Sequence, residues 1–179
     1  MPATFDQLVD FFHSIGAEEV PHTGVTYMGH CFNVYRDMKR WGFDEELAQA
    51  GLFHSIYGTR LFQSFKLGLD RREEIRELIG PRAERLAYLN CAIDYDSFDR
   101  EVERGSPPYR MTNRFTGEES PIEEEDFEDL LRIQLVDRLE QIPRSEARDF
   151  RKDAFRAMAD RLGPRAQQEF ERVFAAEVV

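Results

Sequence analysis

Residues 51–59 read GLFHSIYGT. A small, apolar helical pattern through Leu47, Ala50, Gly51, Leu52 and Phe53 runs up to His54, and a serine and a glycine turn follow. At helical spacing His54 shares a face with Leu47 and Ala50, which aims its imidazole inward. An inward histidine must be satisfied, either by a hydrogen bond in the core or by a metal ion. Two residues outside the stretch bear on that choice. His30 lies one helix upstream, on the side of Tyr27 and Val34. Asp137 lies far downstream in DLLRIQLVDRLEQIPR, residues 129–144, four and seven positions after Ile133 and Leu130 and so on their aliphatic side. A buried carboxylate is costly unless it is compensated. The compensating group can be a metal ion, Arg138, Arg144 or a histidine.

The 179 residues, 41% of them apolar, suit one domain over 1–179 with a core at about 22–142 and C-terminal helices at 145–178 packed on it. A formal net charge of -11 argues against nucleic acid as a partner, because that binding needs clustered Lys and Arg. An acidic surface still allows a locally positive pocket, so an anionic small-molecule substrate remains open. Cys31 and Cys91 form no CxxC pair and read as free thiols in a reducing compartment. No run of about 18 apolar residues occurs, and MPATFDQL is neither a basic leader nor a signal core. A cytoplasmic protein that does not engage a membrane is expected.

Apolar residues recur at helical spacing for most of the length, which predicts an all-α fold. Thr4 caps a first helix that turns Phe5, Leu8, Val9 and Phe12 inward and ends near Gly16. Pro21 and Gly24 mark a connection. Helices are predicted over about 26–41 and 44–56, the second capped by Asp44, with small residues that admit a close neighbour. Further helices are expected at 71–79, 82–93, 123–141, 145–162 with Ser145 as cap, and after Gly163-Pro164. The stretch 105–122, GSPPYRMTNRFTGEESPI, is rich in turn signals and predicts a loop or a small β-hairpin with arms near 109–112 and 120–122.

Two neutral imidazoles and a carboxylate suit manganese, iron or zinc, with positions left for water and substrate. Around such a centre Ser55 and Tyr57 are the neighbouring candidates for a catalytic role beside His54. His22, in PHTGVTY, precedes the second helix and could complete the coordination, bind an anionic group of the substrate or cap the helix. Arg60, Arg71 and Arg72 could reach a phosphate or carboxylate, or simply be solvated. His13, in FFHSIGA, reads as a packing residue of the first helix.

The order His30, then AGLFHSIYGT, then IQLVDRLEQIPR resembles the HD-domain superfamily, whose members bind metal through a His, a His-Asp pair and a distant Asp. The last segment is similar to the LADRLHN-type helix of guanosine tetraphosphate hydrolases, and GLFHSIYGT to their LLHDxxEDT. The arrangement, with HTG at 22–24, also resembles an uncharacterised bacterial family of HD-like proteins with HS in place of HD. The resemblance covers about 22–142 and implies an HD-like helical bundle in which His30, His54 and Asp137 hold one divalent ion. Ser55 stands where the superfamily has the Asp of its His-Asp pair, and Tyr57-Gly58-Thr59 replaces most of the acidic EDT segment. A serine hydroxyl is a weak metal ligand, so the resemblance implies a three-ligand centre or one that has lost its metal.

The expected activity is hydrolysis of a phosphorylated small molecule or nucleotide. A mononuclear-iron oxygenase is the first alternative, although no histidine follows residue 54 to build a second iron site. A non-catalytic ligand-binding or scaffold protein is the other.

Overall fold

A computed structural model describes residues 3–176. It is predominantly helical, with nine α-helices and two small antiparallel hairpins among the described residues. The chain divides into two compact units, residues 1–91 and 92–179.

The first unit opens with α1 (Phe5–Ser14), capped by a reciprocal box: Thr4 Oγ1 accepts from the Gln7 amide while the Gln7 side chain accepts from the Thr4 amide. Leu8 and Phe12 are buried as the spacing predicted. Phe5 is not: it is 52% exposed and meets only the rim of the aromatic cluster, edge-on to Phe32 at 5.4 Å. Its ring partners Phe32 and Tyr35 are themselves only half-buried, whereas Phe12 packs on Phe32 and on the fully buried Phe53. His13 is exposed, with its Nδ1 against a carboxylate oxygen of Glu18.

After a short 3₁₀ turn (Ala17–Glu19), the expected connection is a hairpin of β1 (Pro21–His22) and β2 (Val25–Thr26). Its two turn residues, Thr23 and Gly24, have φ of 31° and 75°. Positive φ at both centres matches the strand twist of a two-residue hairpin and favours glycine. The hairpin leads straight into α2 (Tyr27–Arg40), where Thr26 Oγ1 accepts from the Gly29 amide. The buried stripe is Tyr27, His30, Cys31, Val34 and Met38. Tyr35 is half-buried and donates its hydroxyl to Glu45.

Helix α3 (Glu45–Leu52) starts at Asp44, whose side chain accepts from the Leu47 amide at 2.8 Å. It runs close against α2. A Cβ on Gly51 would stand 3.0 Å from Met38 Cγ and 3.5 Å from Val34 Cγ1, so glycine lets the two backbones approach. The helix ends at Leu52 rather than near 56, because the bonding pattern tightens there. The amides of His54, Ile56 and Gly58 bond carbonyls three residues back, giving successive turns in place of an α-helix. A loop then leads through a 3₁₀ turn (Leu69–Arg71) to α4 (Arg72–Ile79) and α5 (Pro81–Ala92).

The second unit contains a helix that the periodicity did not single out, α6 (Tyr95–Arg104), capped by Asp94 and burying Phe98 and Val102. Next come β3 (Tyr109–Thr112) and β4 (Glu119–Ile122), paired from Tyr109 opposite Ile122 to Thr112 opposite Glu119, which is the anticipated hairpin. Helix α7 (Glu124–Gln141) carries Leu130, Ile133 and Asp137. Helix α8 (Lys152–Leu162) begins well after the expected 145, since Ser145 Oγ takes the Ala147 amide in a local turn and starts no helix. Helix α9 is Pro164–Ala175. The end at 178 expected for the C-terminal helices lies outside the described residues.

Candidate metal centre

His30 sits in the second turn of α2, and His54 in the first of the tight turns after α3. Both are buried. Their Nε2 atoms are 3.2 Å apart, with the rings nearly perpendicular at 84°.

The tautomer of His54 follows from its other nitrogen. Nδ1 lies 2.7 Å from the Gly51 carbonyl oxygen, and a carbonyl can only accept, so Nδ1 carries the proton in neutral His54 and Nε2 offers a lone pair. An imidazole anchored through one nitrogen to a backbone carbonyl, with the other turned outward, is the usual support of a metal-ligating histidine. Two such nitrogens on one tetrahedral ion with bonds of about 2.0–2.1 Å would stand ~3.3 Å apart. The observed separation fits.

The turn that carries His54 is fixed from α5. Asn90 Nδ2 donates to the His54 carbonyl oxygen at 2.7 Å, and the Cys91 thiol donates to the same oxygen at 3.2 Å. Asn90 continues the buried stripe Ala83, Leu86, Ala87 of α5. A polar residue on an apolar stripe was the signal that could have marked it. Nothing in the sequence pattern pointed to the Gly51 carbonyl.

His22, on β1, lies flat on His30, with ring centroids 4.2 Å apart and planes 7° from parallel. Phe62 packs against the other rings of this group: 4.7 Å from His22 at 65°, and stacked on Tyr27 at 5.1 Å and 20°. Ser55 is buried and donates to the Tyr27 hydroxyl across 3.3 Å. Burial first of all raises the Tyr27 phenol well above its ordinary pKa, so this is a bond between two neutral hydroxyls.

Tyr57 and Arg72 converge on a different residue. Glu84 on α5 is fully buried; it accepts from the Tyr57 hydroxyl at 3.0 Å and from Arg72 Nε and Nη2 at 2.7 and 3.0 Å. The Arg72 guanidinium also lies 3.6 Å over the Tyr88 ring. Burial, and then the Glu84 charge, push the Tyr57 phenol far up. Arg71 forms a two-pronged pair with Glu74. Of the three arginines considered for anions, Arg60 is the exposed one.

In the second unit Asp137 is half-buried, and its Oδ1 accepts from Gln141 Nε2 at 2.7 Å, one turn along α7. Arg138, considered as its partner, bonds the Ala147 and Arg148 carbonyl oxygens, and Arg144 bonds Glu140. Each of His30, His54 and Asp137 offers an atom able to ligate a metal ion. Imidazole nitrogen and carboxylate oxygen are donors compatible with zinc, iron or manganese. Among the described residues, no helix is long and apolar enough to cross a membrane.

Residues 11–95 match the model of a domain of unknown function, DUF6817. The matched span includes His22, His30 and His54, the supporting Asn90 and Cys91, and the buried Glu84; Asp137 lies outside it. No curated protein and no solved structure matches the chain.

Proposed function

We propose that this chain is a metal-dependent hydrolase of HD-like fold acting on a phosphorylated small molecule, with one divalent ion held by His30, His54 and Asp137. The observation that carries the reading is the pair of buried Nε2 atoms 3.2 Å apart, one of them freed for ligation by the Nδ1 bond to Gly51. A bound divalent ion would lower the pKa of a water molecule and polarise a phosphoryl oxygen.

The chain's own residues then divide the remaining tasks. Ser55, held by Tyr27, adds no carboxylate to the donor set and keeps the turn after His54 packed. Arg71 and Arg72 pair with Glu74 and Glu84, and Arg60, exposed just past the turn, is the arginine assigned to meet an anionic substrate. The test is metal analysis of protein reconstituted with manganese, iron and zinc in turn, followed by phosphate release from a panel of nucleotides and sugar phosphates. One ion per chain and metal-dependent release support the reading. Absence of metal after all three reconstitutions overturns it.

Ser55 favours a second reading, a non-catalytic ligand-binding protein. Without a metal, His30 Nε2 can donate directly to the lone pair on His54 Nε2, and the same 3.2 Å then describes a core hydrogen bond. A Ser55→Asp variant that neither gains metal nor hydrolyses any substrate in the panel supports that account.

A further inference from the structure

We infer that His22 is a positioning residue for His30: it acts through the flat face of its ring, and neither of its nitrogens ligates the metal or binds the substrate. The inference rests on the metal reading above and concerns how the first ligand is aimed.

His30 is held in two perpendicular directions. His22 covers one face of its ring at 4.2 Å and 7°, and His54 meets it at 84° with Nε2 toward Nε2. Turning the His30 ring about its Cβ–Cγ bond would break the parallel contact and swing Nε2 away from His54. A histidine on a helix has few rotamers of its own about χ1 but a broad χ2, so the ring plane is the freedom that a neighbour must remove. His22 is well placed to do so. Phe62 backs it at 4.7 Å, Pro21 fixes the preceding φ, and the two-residue turn at Thr23-Gly24 ties its strand to Thr26, the cap of His30's own helix. The Tyr27 amide also bonds the Val20 carbonyl at 2.7 Å, which closes the hairpin base onto α2. The rings of Phe62, His22, His30 and His54 thus form a column in which each centroid lies within 5.0 Å of the next.

A nearly parallel stack argues against His22 as a co-ligand. A ring nitrogen binds a metal in the plane of its own ring, and two nearly parallel rings stacked with centroids 4.2 Å apart do not share a plane in which one ion could lie. His30 and His54, edge to face, direct theirs together.

The experiment titrates Co(II) alone into wild type, His22→Phe and His22→Leu, reading affinity and the visible absorption spectrum, with circular dichroism melts to confirm folding. Phenylalanine keeps the flat face and removes both nitrogens, and leucine keeps the bulk without the plane. The expected result is that His22→Phe binds close to wild type, whereas His22→Leu binds about 10- to 100-fold more weakly, the usual loss when the support of a ligand is removed. At saturation both spectra should match wild type, since the ligand set is unchanged. If His22→Phe is as weak as His22→Leu, or if either saturated spectrum differs from wild type, a nitrogen of His22 is in use and the inference is overturned. It is equally overturned if His22→Leu binds like wild type. Failure of the wild type itself to take up Co(II) removes the metal reading, and this inference with it.

Discussion

His54 donates its Nδ1 proton to the carbonyl oxygen of Gly51, three residues earlier, across 2.7 Å. The same glycine admits α3 against Val34 and Met38 of α2, so one residue sets both the approach of the two elements and the direction of the imidazole. Gly51→Val should therefore do two things. It should destabilise the protein by about 1–3 kcal/mol through overpacking, and it should weaken Co(II) binding even in the folded fraction. Urea denaturation and metal titration on the same preparation would check both effects.

Ligand substitutions should separate metal binding from folding. His30→Ala, His54→Gln and Asp137→Asn are each expected to lose stoichiometric metal. In wild type, zinc at a hundred times its dissociation constant should add about 2.7 kcal/mol of stability, and the variants should gain little. Thermal melts with and without zinc measure the difference.

Two neighbouring arginines should behave very differently. Arg72→Ala removes the two-pronged partner of the fully buried Glu84 carboxylate, leaving the Tyr57 hydroxyl at 3.0 Å and Arg76 Nη2 at 3.6 Å, and should cost about 3–5 kcal/mol. Arg71→Ala removes a surface pair with Glu74 and should cost no more than about 1 kcal/mol. Equal losses in chemical denaturation would contradict this picture of the Glu84 cluster.

A pH dependence is expected at the contact between α2 and α3. Burial alone would raise the Glu45 carboxyl, but hydrogen bonds from Tyr35 and Lys39 outweigh it and hold the carboxyl below its ordinary value. A depressed carboxyl stabilises the fold above its unfolded pKa, and that share is lost as pH falls through the lower, folded value. Tyr35, pushed up to about 12 by burial and by Glu45, has the opposite sign: its share is full below the unfolded phenol pKa and lost as pH rises toward 12. Glu45→Gln should lower the denaturation midpoint at pH 7, and the gap to wild type should close toward pH 3.

The residues show why part of the molecule was legible and part was not. Side chains on long periodic stretches, such as Leu8 and Phe12 on α1 or the stripe of α2, announce themselves because burial repeats every turn. The caps Thr4 and Asp44 were readable because a side-chain oxygen before an apolar run has one obvious use. The end of α3 was hidden. No proline stops it; a shift to three-residue bonding does, stabilised by a side chain on α5 far along the chain. Ser145 misled for the reverse reason, since a capping residue type can close a local turn instead. His30 and His54 could be proposed as inward from spacing, but the proton on Nδ1 and the stack with His22 depend on backbone positions that only the folded chain supplies. Arg72 looked available for an anion because its partner, Glu84, lies twelve residues away on another helix.

The bonds from Asn90 and Cys91 end on the backbone of position 54 and ignore its side chain. The turn is consequently shaped from behind, like a setting that keeps its form when the stone is taken out. An evolving or engineered chain can exchange the imidazole for another donor, or discard it, without redrawing the path of the turn. Position 54 is therefore a place where the chemistry of this scaffold can be rewritten one side chain at a time.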